Sequence, residues 1–183
     1  DEVNLEVLRD DVSFIMLRRK KEDVLDSLPD KIDIHQALQM NSSEAILYDS
    51  ERDSILSKVG KESSSNVLTL IQNLRQFTTH PFLFESDKLI HSTITDLINS
   101  SSKFKRTVEL INEIMLKKEK VLIFTEYLKM IDIFKKVFKE FYQTEVFTID
   151  GRIETSERQN RIDVFSKQKG FSIMVLNPKT AGM

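Results

Sequence analysis

The sequence predicts an α/β protein, with an incomplete parallel sheet and flanking helices preceded by a mainly helical segment. Three observations lead there. Short apolar runs begin near Val121, Val146 and Phe171, about 25 residues apart, with amphipathic stretches between them. That alternation marks βαβ units and a parallel sheet. Only four glycines and three prolines punctuate the 183 residues, so long helices are favoured. Before residue 100 the apolar residues recur mostly at helical spacing. The boundary between the helical region and the sheet is therefore drawn between residues 99 and 100.

In chain order, Leu5, Leu8, Val12, Ile15 and Met16 share one helical face, and Leu28-Pro29 ends the pattern. Ile32, Ile34, Leu38 and Met40 alternate, which predicts a strand or an extended crossing. Ser42 or Ser43 is placed to cap a helix that runs to Gly60. Val67, Leu70, Ile71, Leu74 and Phe77 predict the next helix, ending before Pro81. Leu89, Ile90, Ile94, Leu97 and Ile98 mark another. Ser101 or Ser102 caps a helix carrying Phe104, Val108, Ile111 and Met115. Val121 to Phe124 reads as a strand buried on both faces. A helix with Ile131, Phe134, Phe138 and Phe141 follows, its aromatics spaced as core rather than as a base-stacking platform. After the strand Val146–Ile149, Asp150-Gly151 makes a turn. Ser156 and Gln159 form a capping box ahead of Ile162 and Phe165. The third strand, Phe171 to Leu176, leads into Asn177 through Met183. Ligands of open parallel sheets bind beyond the carboxyl ends of the strands, so the segments after Phe124, Ile149 and Leu176 form the expected functional edge.

Composition narrows the chemistry. With 40% apolar and 31% charged residues, the chain is globular rather than disordered. No apolar run reaches membrane-spanning length, and no membrane partner is expected. Asp1 to Asn4 lacks a signal-peptide core, and without an initiating Met the chain reads as a piece of a longer protein. The absence of cysteine removes thiolate chemistry and Cys-type zinc sites, and it fits a reducing intracellular compartment. A net charge of −2 excludes a strongly basic coat but permits local patches, from Lys117, Lys118 and Lys120 or from Lys135, Lys136 and Lys139. The sequence has neither a P-loop nor a G-x-G-x-x-G turn, and no H-E-x-x-H or G-x-S-x-G motif. Its three histidines are scattered, with His80 read as a structural residue at a helix end and no metal site expected.

Several segments, taken in order, resemble the second motor lobe of the Swi2/Snf2 family of superfamily 2 helicase-like ATPases. They are Phe14 through Val24 with Leu28-Pro29-Asp30-Lys31; Leu47-Tyr48; Leu74-Arg75-Gln76 with His80-Pro81; and Ser101-Ser102-Lys103. Lys120 through Tyr127 follow, resembling motif IV, then Ile149-Asp150-Gly151 with Glu157-Arg158 and Phe165. Leu176 through Gly182 resemble the opening of motif V. The sequence departs from the family at Arg152, where Ser or Thr is usual, and at Asn177-Pro178 before Lys179. Motif V stops after Gly182. Motif VI and the first lobe with its Walker motifs are not in this chain.

The resemblance implies a RecA-like fold for residues 100–183 and a lobe-joining, helical region for residues 1–99. It implies nucleic-acid contacts at Thr125, Gly151, Arg152, Lys179, Thr180 and Gly182, and ATP coupling through Thr180, Ala181 and Gly182. The basic run Arg18, Arg19, Lys20 and Lys21 would lie near the hinge between lobes. Residue chemistry alone leaves second readings open. Thr125 is equally a strand-to-helix cap, Asp150-Gly151 a plain turn, and the basic run a solvated helix end. Arg158 and Lys103 each oppose a helix dipole, so Arg158 is expected to have an acidic partner or to brace its motif. Lys103 either sits beside a structural cap or faces DNA.

The family further implies a DNA-stimulated ATPase that moves along duplex DNA and displaces bound proteins. ATP and Mg²⁺ would serve the full-length protein, with the first RecA-like lobe as partner. Its location would be the nucleoid or cytoplasm in bacteria and the nucleus in eukaryotes. No catalytic residue is assigned within this chain, which alone is expected to neither hydrolyse ATP nor hold it tightly. Two alternatives remain. One is a lobe of another superfamily 2 helicase acting on RNA; the other is a non-enzymatic interaction scaffold.

Overall fold

The computed structural model describes Val12, Ile15 and residues 31–59, 65–84 and 91–181. By backbone packing, residues 38–183 form one compact unit and residues 1–37 another. The expected boundary at 99/100 lies within the first of these units, residues 38–183. The basic run Arg18 to Lys21, Gly60, Leu89, Ile90 and Gly182 lie outside the described residues.

Residues 31–41 have no regular secondary structure, and Ile32 and Ile34 are exposed. The alternating pattern there finds no sheet to join, so no strand forms. Helix α1 spans Ser42–Val59. Its start is set by Asn41, not by Ser42 or Ser43, since Asn41 Oδ1 accepts the Glu44 N–H at 2.9 Å. Asn41 and Glu44, at the start of α1, are also tied to the next region. Ser102 Oγ accepts the Asn41 N–H, and the buried Glu44 carboxylate accepts the Ser102 N–H, each at 2.9 Å.

Helix α2, Ser65–Thr79, ends at His80 and a 3₁₀ turn, Pro81–Leu83. Proline cannot continue the helix but suits the first position of that turn. Helix α3 is short, Ile94–Asn99, and opens on a capping box between Thr93 and Asp96. Helix α4, Ser102–Leu116, is capped by Ser101, whose hydroxyl accepts the Phe104 N–H at 3.2 Å.

The sheet comprises β1 (Lys120–Phe124), β2 (Val146–Ile149) and β3 (Ser172–Leu176). All pairs are parallel and the order is β1-β3-β2. Helix α5, Leu128–Glu140, connects β1 to β2, and α6, Thr155–Lys167, connects β2 to β3. A four-residue helix α7, Pro178–Ala181, follows β3. The expected Ser156–Gln159 box is not formed. The first helical residue is Thr155, the preceding Glu154 makes no side-chain cap, and Gln159 instead bonds Asp163.

The alternation of side chains along a strand explains the two cores. Ile173 and Val175 of β3 join Val121 and Ile123 of β1, packed under Phe104, Val108, Ile131, Phe134 and Phe138 of α4 and α5. Met174 and Leu176 face the other way, toward Ile149 and Phe165. Phe134 and Phe138 are core as expected, whereas Phe141 ends α5 and is exposed. The run Val121–Phe124 is not buried on both faces. β1 lies at the sheet edge, and Leu122 and Phe124 are 52% and 61% exposed. Burial on both faces belongs to the central β3.

Candidate functional site

The carboxyl ends of all three strands meet at one edge. The ladder continues past each strand: Leu176 O accepts the Thr125 N–H and Ile149 O accepts the Asn177 N–H, both at 2.9 Å. Thr125, Asp150-Gly151 and Asn177 to Thr180 are therefore neighbours, as expected for the functional edge. Asn177 ties the edge together. Its Nδ2 donates to Glu126 O at 3.3 Å, its Oδ1 accepts the Lys179 N–H at 3.0 Å, and its backbone carbonyl accepts the Thr180 N–H at 3.0 Å. A Ser or Thr side chain is too short to span the first two partners together. The family departure noted at this position is thus a structural substitution, and a buried polar residue ending a buried strand was the signal for it.

Thr125 does not cap α5. Its hydroxyl accepts the Tyr127 N–H at 3.4 Å, and Thr125 lies three residues before the first helical residue, Leu128. Gly151 faces Thr180. A Cβ built on Gly151 would lie 3.9 Å from Thr180 Oγ1, an ordinary contact. The fold itself accepts a side chain here, so any need for glycine comes from what approaches from outside. Lys179 is exposed, Ala181 closes α7, and Gly182 lies beyond the described residues.

Among the described residues Arg158 has no acidic partner. Its Nε donates to Ile153 O at 3.2 Å and its Nη1 to Thr180 O at 3.4 Å. It braces the loop after β2 against α7, which is the second of the two roles expected of it. Arg152 is tied more tightly. Its N–H and Nε donate to Asp150 Oδ1 at 2.8 and 3.1 Å, and its Nη2 to Asp150 Oδ2 at 2.9 Å. Nη1 reaches both oxygens of Asp132 on α5, at 2.9 and 3.1 Å. Hydrogen bonding to Arg152 holds the buried Asp150 carboxyl below its usual range, with Lys135 adding to the effect. Asp150 in turn raises the Arg152 guanidinium further above its ordinary value. The Arg152 guanidinium, expected at a phosphate, here bridges two carboxylates.

Beside Thr125 a cavity of about 380 Å³ opens, lined by Arg75, Lys103, Thr107, Glu126 and Phe134 among others. Arg75 and Glu126 face each other at 3.7 Å. Sequence reasoning placed Arg75 and Glu126 in motifs but gave neither a role. Lys103 lies on this cavity wall. The Lys117–Lys120 cluster does not belong to the edge. Lys120 starts β1, at the strand end opposite Thr125, and donates to Ser166 O.

His80 is structural, as read from the sequence. It is buried, its Nδ1 accepts the Phe82 N–H at 3.2 Å, and its Nε2 donates to Leu97 O at 2.9 Å. Burial pushes its pKa down, which keeps it neutral. Among the described residues no three His, Asp or Glu side chains gather as a metal site. No helix among them is long and apolar enough to cross a membrane.

Two family models match in succession, the SNF2-related domain over residues 1–83 and the helicase conserved C-terminal domain over residues 102–181. The chain is 31% identical over 174 residues to an uncharacterized ATP-dependent helicase of Mycoplasma pneumoniae, covering 93% of this chain and 16% of that protein. It is 30% identical over 190 residues to an ISWI chromatin-remodelling complex ATPase of Saccharomyces cerevisiae, covering 99% of this chain and 17% of that protein. The chain thus spans about a sixth of the length of these curated relatives. Its fold matches a Sulfolobus solfataricus SWI2/SNF2 ATPase core, solved in complex with double-stranded DNA, with a TM-score of 0.69 and 23% identity. That match covers 96% of this chain and 38% of the other. The two family matches together span most of the chain, and the chain belongs to the Snf2 family of helicase-like ATPases as a part of its C-terminal RecA-like lobe.

Proposed function

We propose that this chain supplies the second-lobe half of a DNA track in an ATP-driven translocase that remodels or displaces proteins on duplex DNA. The observation that carries the reading is the convergence of Thr125, Gly151 and Thr180 at one strand-end edge, locked by Asn177. The Thr125 and Thr180 hydroxyls at this edge suit phosphate oxygens, which carry no base information, so binding is sequence-tolerant. Gly151 leaves the space above the turn open to a strand backbone. Thr180 and Ala181, with Gly182 beyond them, join that contact to the rest of the lobe. Arg158 transmits any shift of α7 to the loop at Ile153. Lys179, which is exposed, adds charge to the track.

Among the described residues no side-chain cluster suits Mg²⁺, and the sequence has no phosphate loop for ATP. In the proposed motor ATP and Mg²⁺ belong with the first RecA-like lobe. The motor acts inside the cell, on the nucleoid or in the nucleus. The testing experiment is ATP hydrolysis by the full-length protein, alone, with duplex DNA and with RNA. Strong stimulation by duplex, reduced in Gly151→Ala and Thr180→Ala, supports the reading. Stimulation by RNA alone points to an RNA helicase lobe, and no hydrolysis under any condition points to a scaffold.

A further inference from the structure

The cavity beside Thr125 has a charge arrangement that the strand-end edge does not explain. Its basic lining residues are Arg75, on α2, and Lys103, on α4; its acidic one is Glu126, which directly follows Thr125. Arg75 Nη2 lies 3.7 Å from Glu126 Oε2, and the two side chains are 65% and 46% exposed. That separation exceeds the 2.7–2.9 Å of a charge-assisted hydrogen bond. Exposed pairs of this kind contribute little and exchange readily. The Glu126 backbone is nevertheless fixed, because its carbonyl accepts from Asn177 Nδ2. A carboxylate is thus held loosely before a guanidinium fork, the geometry that also receives a phosphate in bidentate fashion. Arg152 presents no such opening, since its guanidinium already bridges Asp150 and Asp132.

We propose that this cavity is a phosphate subsite for a nucleic-acid strand, with Arg75 and Lys103 as its cations and Glu126 as the resident anion that a strand phosphate displaces. The proposal rests on the reading of the strand-end edge as a DNA track and extends that track onto the helical segment. At about 380 Å³ the cavity exceeds one phosphate and accepts the attached sugar as well. Phosphate entry turns Glu126 away from Arg75 without moving the backbone. Opening and closing of this contact then accompanies each phosphate that passes Thr125.

The test is binding of a fluorescent duplex of random sequence to the full-length protein across a salt series. Variants are Arg75→Ala, Arg75→Lys, Glu126→Gln and Thr180→Ala. Arg75 is on an exposed helix face where alanine is a good helix former, so the fold is retained. Losing one phosphate contact lowers the slope of log K against log salt by about 1. Arg75→Ala is expected to show that drop and Arg75→Lys to restore it. Glu126→Gln is expected to tighten binding several-fold with the slope unchanged. An unchanged slope in Arg75→Ala, or weaker binding in Glu126→Gln, overturns the subsite. If Thr180→Ala weakens binding in that same series, the track itself stands. No duplex binding by the unaltered protein sinks both.

Discussion

Strands β1 and β3 have nearly the same apolar content, yet they live in different surroundings. In β3 every residue from Ser172 to Leu176 is buried, and its side chains feed two cores. In β1 only Val121 and Ile123 pack inward, while Leu122 and Phe124 face outward at the sheet edge. An apolar run reports that a strand exists; its neighbours decide how much of it is covered. The contrast is sharpest at Ile173, which is fully buried in the middle of the sheet. Ile173→Ala is expected to lower stability by about 2–5 kcal/mol, through lost transfer energy and an unfilled cavity. Urea unfolding of the 183-residue chain reads this as a lower midpoint with an unchanged slope. A cost below about 1 kcal/mol would mean that the two strands are equivalent after all.

The ends of the strands differ in the same sense. At β2 the edge is held by charge, since Asp150 is buried and Arg152 supplies three of its hydrogen bonds. Arg152→Ala leaves the carboxylate without the side-chain donors. The expected cost is about 1–3 kcal/mol, kept to that range because Arg152 is itself half exposed. The sign with pH follows from the lowered Asp150 pKa. The unfolded chain binds that proton at higher pH than the folded chain, so the contribution is present above the ordinary aspartate value near 3.9. It is lost as pH falls toward the folded value. In Arg152→Ala the acid-unfolding midpoint is expected to move to higher pH, and an unmoved midpoint would remove the pair from the account.

Much of this was legible in the sequence, and what was not has local causes. The three strands, the helices between them and the convergence of Thr125, Gly151 and Thr180 follow from period and spacing. Motif order carried the family. The capping expectations divided. Ser101 caps as read, but at α1 Asn41 took the role expected of Ser42 or Ser43, and at α6 no cap formed. A one-residue shift of a helix start changes the capping residue while leaving the apolar period intact. Of the strand or extended crossing expected near Ile34, no strand forms, because alternation needs a partner ladder, which sequence does not supply. The Arg152–Asp132 pair could not be read from the sequence, because Asp132 is twenty residues away and only the fold brings α5 beside the turn. Arg75 and Glu126 were unreadable for the same reason.

A smaller effect separates the buried junction at Ser101 from the open strand edge. Ser101 is fully buried and its hydroxyl satisfies the Phe104 N–H at the start of α4. Ser101→Ala is expected to cost about 1 kcal/mol, the usual loss for a helix N-cap. Ser101→Asp, which keeps an acceptor, tests whether the cap or the packing matters. Equal losses in both variants would assign the effect to the tight space around Ser101 rather than to capping.

The smallest expected effect is at Leu122, the counterpart of Met174 across the β1–β3 ladder. Met174 is 2% exposed and Leu122 is 52% exposed. Leu122→Thr keeps a side chain that suits a strand and removes apolar surface that water already reaches. Stability of the 183-residue chain is expected to change by less than about 0.5 kcal/mol. Met174→Thr, in contrast, places a hydroxyl in the core beside Phe165 and is expected to cost several times more. The ratio of the two midpoint shifts measures how one-sided β1 is. A Leu122→Thr loss as large as that of Met174→Thr would mean that the outer face of β1 is covered in solution, and the contrast between edge and centre would fall with it.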